Sequence, residues 1–152
     1  LKELGLELSE DKLRVTTAEQ GFDFLGFHFF RRFRAVHGKM VTVYHPSKKS
    51  VERFKDKVRI LTARHLAFSK DEERLVLELN RLIVGWSNYF NHSNVLGTYL
   101  RLQRFLEWRF AKFRCFRHKQ RRLSFRFGLL GCYKFGLAKL AGRIPFFLEI
   151  MS

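Results

Sequence analysis

The chain has 152 residues, 46% of them apolar and 16% aromatic, so it can bury a core and disorder is excluded as the default state. Lys and Arg number 30 against 14 acidic residues, a net charge of +16 that points first to a nucleic acid, then to simple solubility, and last to a membrane surface. No run reaches the ~18 apolar residues of a spanning helix, no signal peptide is visible, and Cys115 and Cys132 alone cannot build a secreted disulfide framework, so a reducing, intracellular setting is expected.

In chain order, "LKELGLELSEDK" reads as a helix end followed by a turn, with Gly5 suited to a left-handed C-cap. "LRVTT" is a short β-branched strand and "AEQG" a turn. Residues 22–33 read as one strand with two apolar faces: Phe22, Phe24, His28 and Phe30 on one, Leu25, Phe27 and Phe29 on the other. Such a strand is expected between two layers, with Gly26 marking a bulge or a close approach by another backbone or a ligand. "RRFRAVHGK" supplies a loop, "MVTVYH" a partner strand completing a hairpin, and Pro46 closes it.

At Ser47 the period becomes helical. Ser47 or Ser50 caps a helix whose stripe is Val51, Phe54, Val58 and Leu61, with Lys48, Lys49, Arg53, Lys55, Lys57 and Arg59 opposite. "SKDE" predicts a second helix with Ser69 as N-cap and Glu72 completing a capping box. Its stripe is Leu75, Leu79, Leu82, Trp86 and Tyr89 or Phe90, ended by "NHSN". Trp86 points inward as a core anchor, and Gly85 beside it would admit another helix. A third helix carries Leu96, Tyr99, Leu102, Phe105 or Leu106, Trp108 and Phe113, with Arg101, Arg104, Arg109, Lys112, Arg114 and Arg117 on its polar side. The three stripes must pack on each other, which predicts a mainly α fold: a small N-terminal β-hairpin followed by a three-helix bundle. Residues 119–152 form a basic tail without a clear period.

The chemistry-bearing residues are mostly cations. Adjacent acids occur at Glu10-Asp11, in a turn, and at Asp71-Glu72-Glu73, where they suit a helix N-terminus better than paired metal binding. Cys115, His118 and Cys132 fall short of a structural zinc set, so packed free thiols are expected and no metal site is assigned. His92 in "FNHSN" reads as a turn residue. Between Arg101 and Arg126 there are ten Lys or Arg and one acid, Glu107, too lopsided for a merely solvated helix. The expected RNA-binding residues are Lys48, Lys49, Arg53, Lys57, Arg101, Arg104, Arg109, Lys112, Arg114 and Arg117.

"LGLELSEDKLRVT", "GFDFLGFHF", "HPSKKSVERFKDKVR" and "LNRLIVGWSNYFNHSN" together resemble the C-terminal part of group II intron-encoded reverse transcriptase/maturases, over roughly residues 1–118. The resemblance implies three parts: residues 1–46 as the end of the palm with a primer-grip-like hairpin, 47–118 as the thumb or maturase domain, and 119–152 as the basic tail. Leu25, Gly26 and Phe27 would form the primer grip, Gly26 letting nucleic-acid backbone approach. Structured intron RNA and primer–template are the implied partners, together with the fingers and palm of the intact polymerase. The family's paired catalytic Asp residues, which hold Mg²⁺, have no counterpart here, so no catalytic residue or cofactor is assigned and the expectation is a non-catalytic RNA-binding fragment. Two other readings fit the same residues: a stand-alone maturase remnant aiding splicing, or an interaction module docking on a separate palm chain. The implied compartment is the bacterial cytoplasm or, in a eukaryote, an organelle.

Overall fold

Residues 20–35, 38–93, 95–119 and 132–140 are described by the computed structural model; the expected "LRVTT" strand, Glu10-Asp11 and most of the basic tail lie outside them. The stretch expected as one strand is two. Strand β1 (Phe22–Phe24) and strand β2 (Phe27–Arg34) pair antiparallel, with β3 (Lys39–Pro46) on the far side of β2. Leu25 and Gly26 make a two-residue turn with φ of 47° and 82°, both positive as a tight hairpin turn with the right twist requires. Gly26 therefore marks a reversal and not a bulge.

That turn resets the side-chain parity. Phe24 pairs with Phe27, and Phe22 with Phe29, so these four share a face with Tyr44. His28 and Phe30 lie on the other face with Asp23, Val43 and His45. The expected grouping of Phe22 and Phe24 with His28 and Phe30 fails because a straight strand was assumed. On the aromatic face Phe22 and Phe29 stack at 5.3 Å and Phe29 and Tyr44 at 5.5 Å. β2 also runs on through "RRFR", ending at the Arg34–Lys39 pair, so the loop is shorter than expected. Only the base of the sheet is layered: Phe27 to Phe30 are half-buried, whereas Phe22, Phe24 and Phe33 are exposed.

Helix α1 (Lys48–Leu61) starts at Ser47, whose Oγ accepts from the Ser50 amide at 3.2 Å. It buries Phe54 and Val58 and leads through a 3-10 turn (Arg64–Ala67) to α2 (Glu72–Phe90). The α2 N-cap is Asp71, accepting from the Arg74 amide at 2.8 Å, and not Ser69. Asp71 immediately precedes the first helical residue, while the Ser69 hydroxyl turns back to the Leu66 carbonyl. The α2 stripe of Leu75, Leu79 and Phe90 is buried as expected, joined by Val76 and Ile83. Gly85 has no described residue close by, so none of the described helices approaches it.

Helix α3 (Leu96–Arg117) buries Tyr99, Leu102, Leu106, Phe110 and Phe113. Trp108, expected on this stripe, is 47% exposed. It lies two residues from both Leu106 and Phe110, about 200° round a helix. Leu96, at the helix start, is exposed as well.

The core is completed from the presumed tail. Cys132, Leu137 and Leu140 are buried against the helices. Asn80 of α2 reaches this segment twice, donating to the Gly136 carbonyl at 2.9 Å and accepting from the Ala138 amide at 2.8 Å. Gln103 of α3 accepts from the Leu140 amide at 3.0 Å and donates to Glu107 at 3.1 Å. Tyr133 donates to the same Glu107 at 2.6 Å. Burial, followed by this carboxylate, pushes the Tyr133 hydroxyl up to about 12 and the Cys132 thiol also to about 12. The half-buried Asn80 and the buried Gln103 thus satisfy backbone groups of 132–140 where the segment packs on the helices.

Candidate nucleic-acid interface

The motif residues singled out in the sequence meet at one junction. The Gly26 carbonyl accepts from the Ser47 amide and from the Ser50 hydroxyl, both at 2.8 Å. The Leu25 carbonyl accepts from the Tyr89 hydroxyl at 2.8 Å. "FLGF", "HPSKKS" and "GWSNYF" therefore form one device: α1 and α2 together clamp the backbone of the β1–β2 turn. Phe27 completes it, packing on Tyr89 at 5.4 Å and edge-on to Phe90 at 4.8 Å. A Cβ on Gly26 would stand 2.8 Å from the Ser50 Oγ, so glycine is demanded by the close approach as well as by φ. Leu25 holds a positive φ that a branched side chain rarely adopts, and it is 68% exposed. Strain on an exposed apolar residue, held by hydrogen bonds from two helices, is the kind of feature found at functional sites.

A cleft of about 420 Å³ opens beside this turn. Its lining includes Leu25, Gly26, Arg53, Lys57, Trp86 and Tyr89. The cleft gathers three separate expectations: the grip-like turn, two of the α1 cations and Trp86. Trp86 is half-buried and sits at the edge of the core, 5.1 Å from Phe54, 4.5 Å from Phe90 and 5.7 Å from Tyr99. It anchors the helices with one side and walls the cleft with the other.

The cations divide into two kinds. On α1, Lys48, Lys49, Arg53 and Lys57 are exposed and have no ion-pair partner among the described residues. Lys49, Arg53 and Lys57 follow each other at four-residue spacing, one cationic line along the helix. The other flank is internally neutralised, with Glu52 bonded to Arg59 at 2.6 Å and to Lys55 at 3.1 Å. These bonds hold the Glu52 carboxyl below its ordinary value, the one from Arg59 most strongly.

The basic side of α3 is less open than its sequence suggests. Arg109 donates to the Thr62 hydroxyl at 2.8 Å and to the carbonyls of Arg59 and Thr62. Arg114 pairs with Glu72 at 2.8 Å, and Arg117 donates to the Lys70 carbonyl at 2.6 Å. These guanidiniums tie α3 to the α1–α2 connection, where carbonyls left over at the end of α1 need donors. Glu72 is thereby an internal ion-pair partner: burial raises its carboxyl, but the hydrogen bonds from Arg114 and His118 outweigh that, and the net shift is downward. Lys112 lies over the Trp108 ring at 5.0 Å. Arg101 and Arg104 are the exposed cations on this helix.

Sequence reasoning passed over Arg32 and Arg34, which it placed in a loop. The signal was present in the alternation of "FRRFR", which puts Phe30, Arg32 and Arg34 on one face of a strand. The His92 carbonyl accepts from Tyr44 at 2.7 Å, fastening the α2–α3 turn to the sheet. Cys115 and Cys132 are both buried, and no group of His, Cys, Asp or Glu among the described residues could hold a metal ion. No described helix is long and apolar enough to cross a membrane.

The arrangement is that of a mainly helical domain built onto a small antiparallel sheet, with the sheet's tight turn locked between the first two helices. The sequence model of the group II intron, maturase-specific domain matches residues 51–128, just over half of the 152 residues. The chain belongs to that family, and its role lies in group II intron splicing. No curated protein matched the chain.

Proposed function

We propose that this chain is the RNA-binding C-terminal part of a group II intron reverse transcriptase/maturase, helping the intron RNA reach its splicing-active fold and gripping primer–template in the intact protein. The observation that carries this reading is the cleft in which the strained Leu25–Gly26 turn, the cations Arg53 and Lys57 and the indole of Trp86 converge. Arg and Lys there meet phosphates without first giving up an internal partner, and the apolar floor suits a ribose or a base face. Recognition would follow backbone shape and 2′-hydroxyls more than sequence. The paired carboxylates that polymerisation needs are supplied by another part of the intact polymerase. Within the described residues Asp71 caps α2 and Glu72 is engaged by Arg114.

The test is titration of the chain with structured group II intron RNA across a salt series. Lys49→Ala/Arg53→Ala/Lys57→Ala should weaken binding and lower the salt slope by about 1 for each lost phosphate contact. Arg59→Ala, which removes a side chain already paired with Glu52 and Asp56, should change little. Equal affinity of the triple variant and the unsubstituted chain would remove α1 from the interface.

A further inference from the structure

A second cationic surface lies on the opposite flank of α1 from the cleft above. One recess of about 670 Å³ is lined by Arg32 and Arg34 of β2, by Phe30 and Phe33 beside them, and by Gly97 and Arg101 at the start of α3. A neighbouring recess of about 400 Å³ is lined by Lys48, Glu52 and Lys55 of α1. His45, Thr98 and Arg101 belong to both, so the two form one continuous trough from the start of α1 to the tip of the sheet. Around an α-helix, the α1 residues that line the trough (48, 51, 52 and 55) face away from those that line the cleft (50, 53, 54 and 57).

Among the described residues the charge in this trough is balanced only at its α1 end, where Glu52 pairs with Lys55 at 3.1 Å and with Arg59 at 2.6 Å. Arg32 and Arg34 have no hydrogen-bond or ion-pair partner among the described residues, and Arg101 reaches only its own helix, at 3.3 Å to the Gly97 carbonyl and 3.4 Å to the Thr98 hydroxyl. Arg34 stands directly opposite Lys39 in the β2–β3 ladder, a like-charge cross-strand pair that disfavours the fold when nothing lies over it. Of the nearby acids among the described residues, Asp23, on the same sheet face, is engaged by His28 at 2.6 Å, and Glu52, inside the trough, is taken up by Lys55 and Arg59, so neither pairs with Arg32, Arg34 or Arg101. Exposed guanidiniums beside the Phe30 ring, and a like-charge pair with no acid paired to it among the described residues, match a polyanionic strand whose bases can lie against a ring.

We propose that this trough is a second nucleic-acid surface, which takes the phosphate backbone of a single-stranded RNA segment while the cleft beside the Leu25–Gly26 turn holds another. The proposal rests on the RNA-binding reading above, and the two can fail separately. Because the side chains concerned are exposed, Arg32→Gln/Arg34→Gln/Arg101→Gln should leave the circular dichroism of the chain unchanged and its melt no lower. Titrated with a single-stranded oligouridylate, this variant should lose on the order of 10–100-fold in affinity at 0.1 M salt, and its salt slope should fall by about 2, at about 0.7 per contact on single strands. Adding the Lys49, Arg53 and Lys57 substitutions should multiply the two losses on intron RNA. Unchanged affinity and slope in the trough variant, with the α1 variant still weakened, would overturn the second surface and leave the general reading in place. No RNA binding by the unsubstituted chain would overturn both. Displacement of the oligonucleotide by uridine monophosphate or inorganic phosphate at matching concentration would make the trough an isolated phosphate site and overturn the strand.

Discussion

Gly26→Ala tests the junction on which the site is built. Two costs add. The backbone sits at φ +82°, where a non-glycine residue loses about 1–2 kcal/mol. The new Cβ would stand 2.8 Å from the Ser50 Oγ, which must swing away and abandon its 2.8 Å hydrogen bond to the Gly26 carbonyl. A neutral hydrogen bond of this kind contributes about 0.5–1.5 kcal/mol. The expected destabilisation is about 2–3 kcal/mol, measurable by urea denaturation of the whole chain, with a fall in Tm of about 5–10 °C at this chain length. A double-mutant cycle separates the terms. Ser50→Ala alone should cost about 1 kcal/mol, and on that background Gly26→Ala should cost only the backbone term, so the pair is less than additive by about 1 kcal/mol. Strict additivity would refute the clash. A Gly26→Ala cost below about 0.5 kcal/mol would refute the whole account of the turn, because the φ penalty alone exceeds it.

Trp86→Ala should cost about 2–3 kcal/mol, short of the 3–5 kcal/mol of a fully buried Trp because one side of the indole walls the cleft. It should weaken RNA binding even where the chain remains folded, and an unchanged melt would refute its contacts with Phe54, Phe90 and Tyr99 as anchoring. Glu72→Gln tests the α2–α3 tie by pH. The folded carboxyl lies below the ordinary 4.5, so its contribution is complete above that value and is lost as pH falls through the folded pKa. The variant should therefore be less stable at pH 7, by about 1–2 kcal/mol for a charge-assisted bond, and match the unsubstituted chain at strongly acid pH; a constant difference at all pH values would refute the ion pair with Arg114.

The sequence by itself determined the elements whose signals are local. Ser47 before an apolar period set the start of α1, the "NHSN" break ended α2, and the alternation of Val41 and Val43 marked β3. It also singled out Gly26 as a special position, read as a bulge or a close approach, where the structure has a two-residue turn packed against Ser50. Tertiary structure decided whatever depends on two segments meeting. The parity of the Phe-rich strand depended on a reversal at Leu25, a residue that carries no turn signal and whose strained turn is held by hydrogen bonds from Ser47, Ser50 and, 64 positions away, Tyr89. Sequence could count the α3 cations but not see that Arg109, Arg114 and Arg117 would find carbonyls and a carboxylate at the α1–α2 connection, while Arg32 and Arg34 would find none among the described residues. It could not place residues 132–140 either, since their hold on the core comes from Asn80, Gln103 and Glu107 on two other helices. A charge is legible in one dimension, but whether it is neutralised within the fold or left for a partner is a property of contacts.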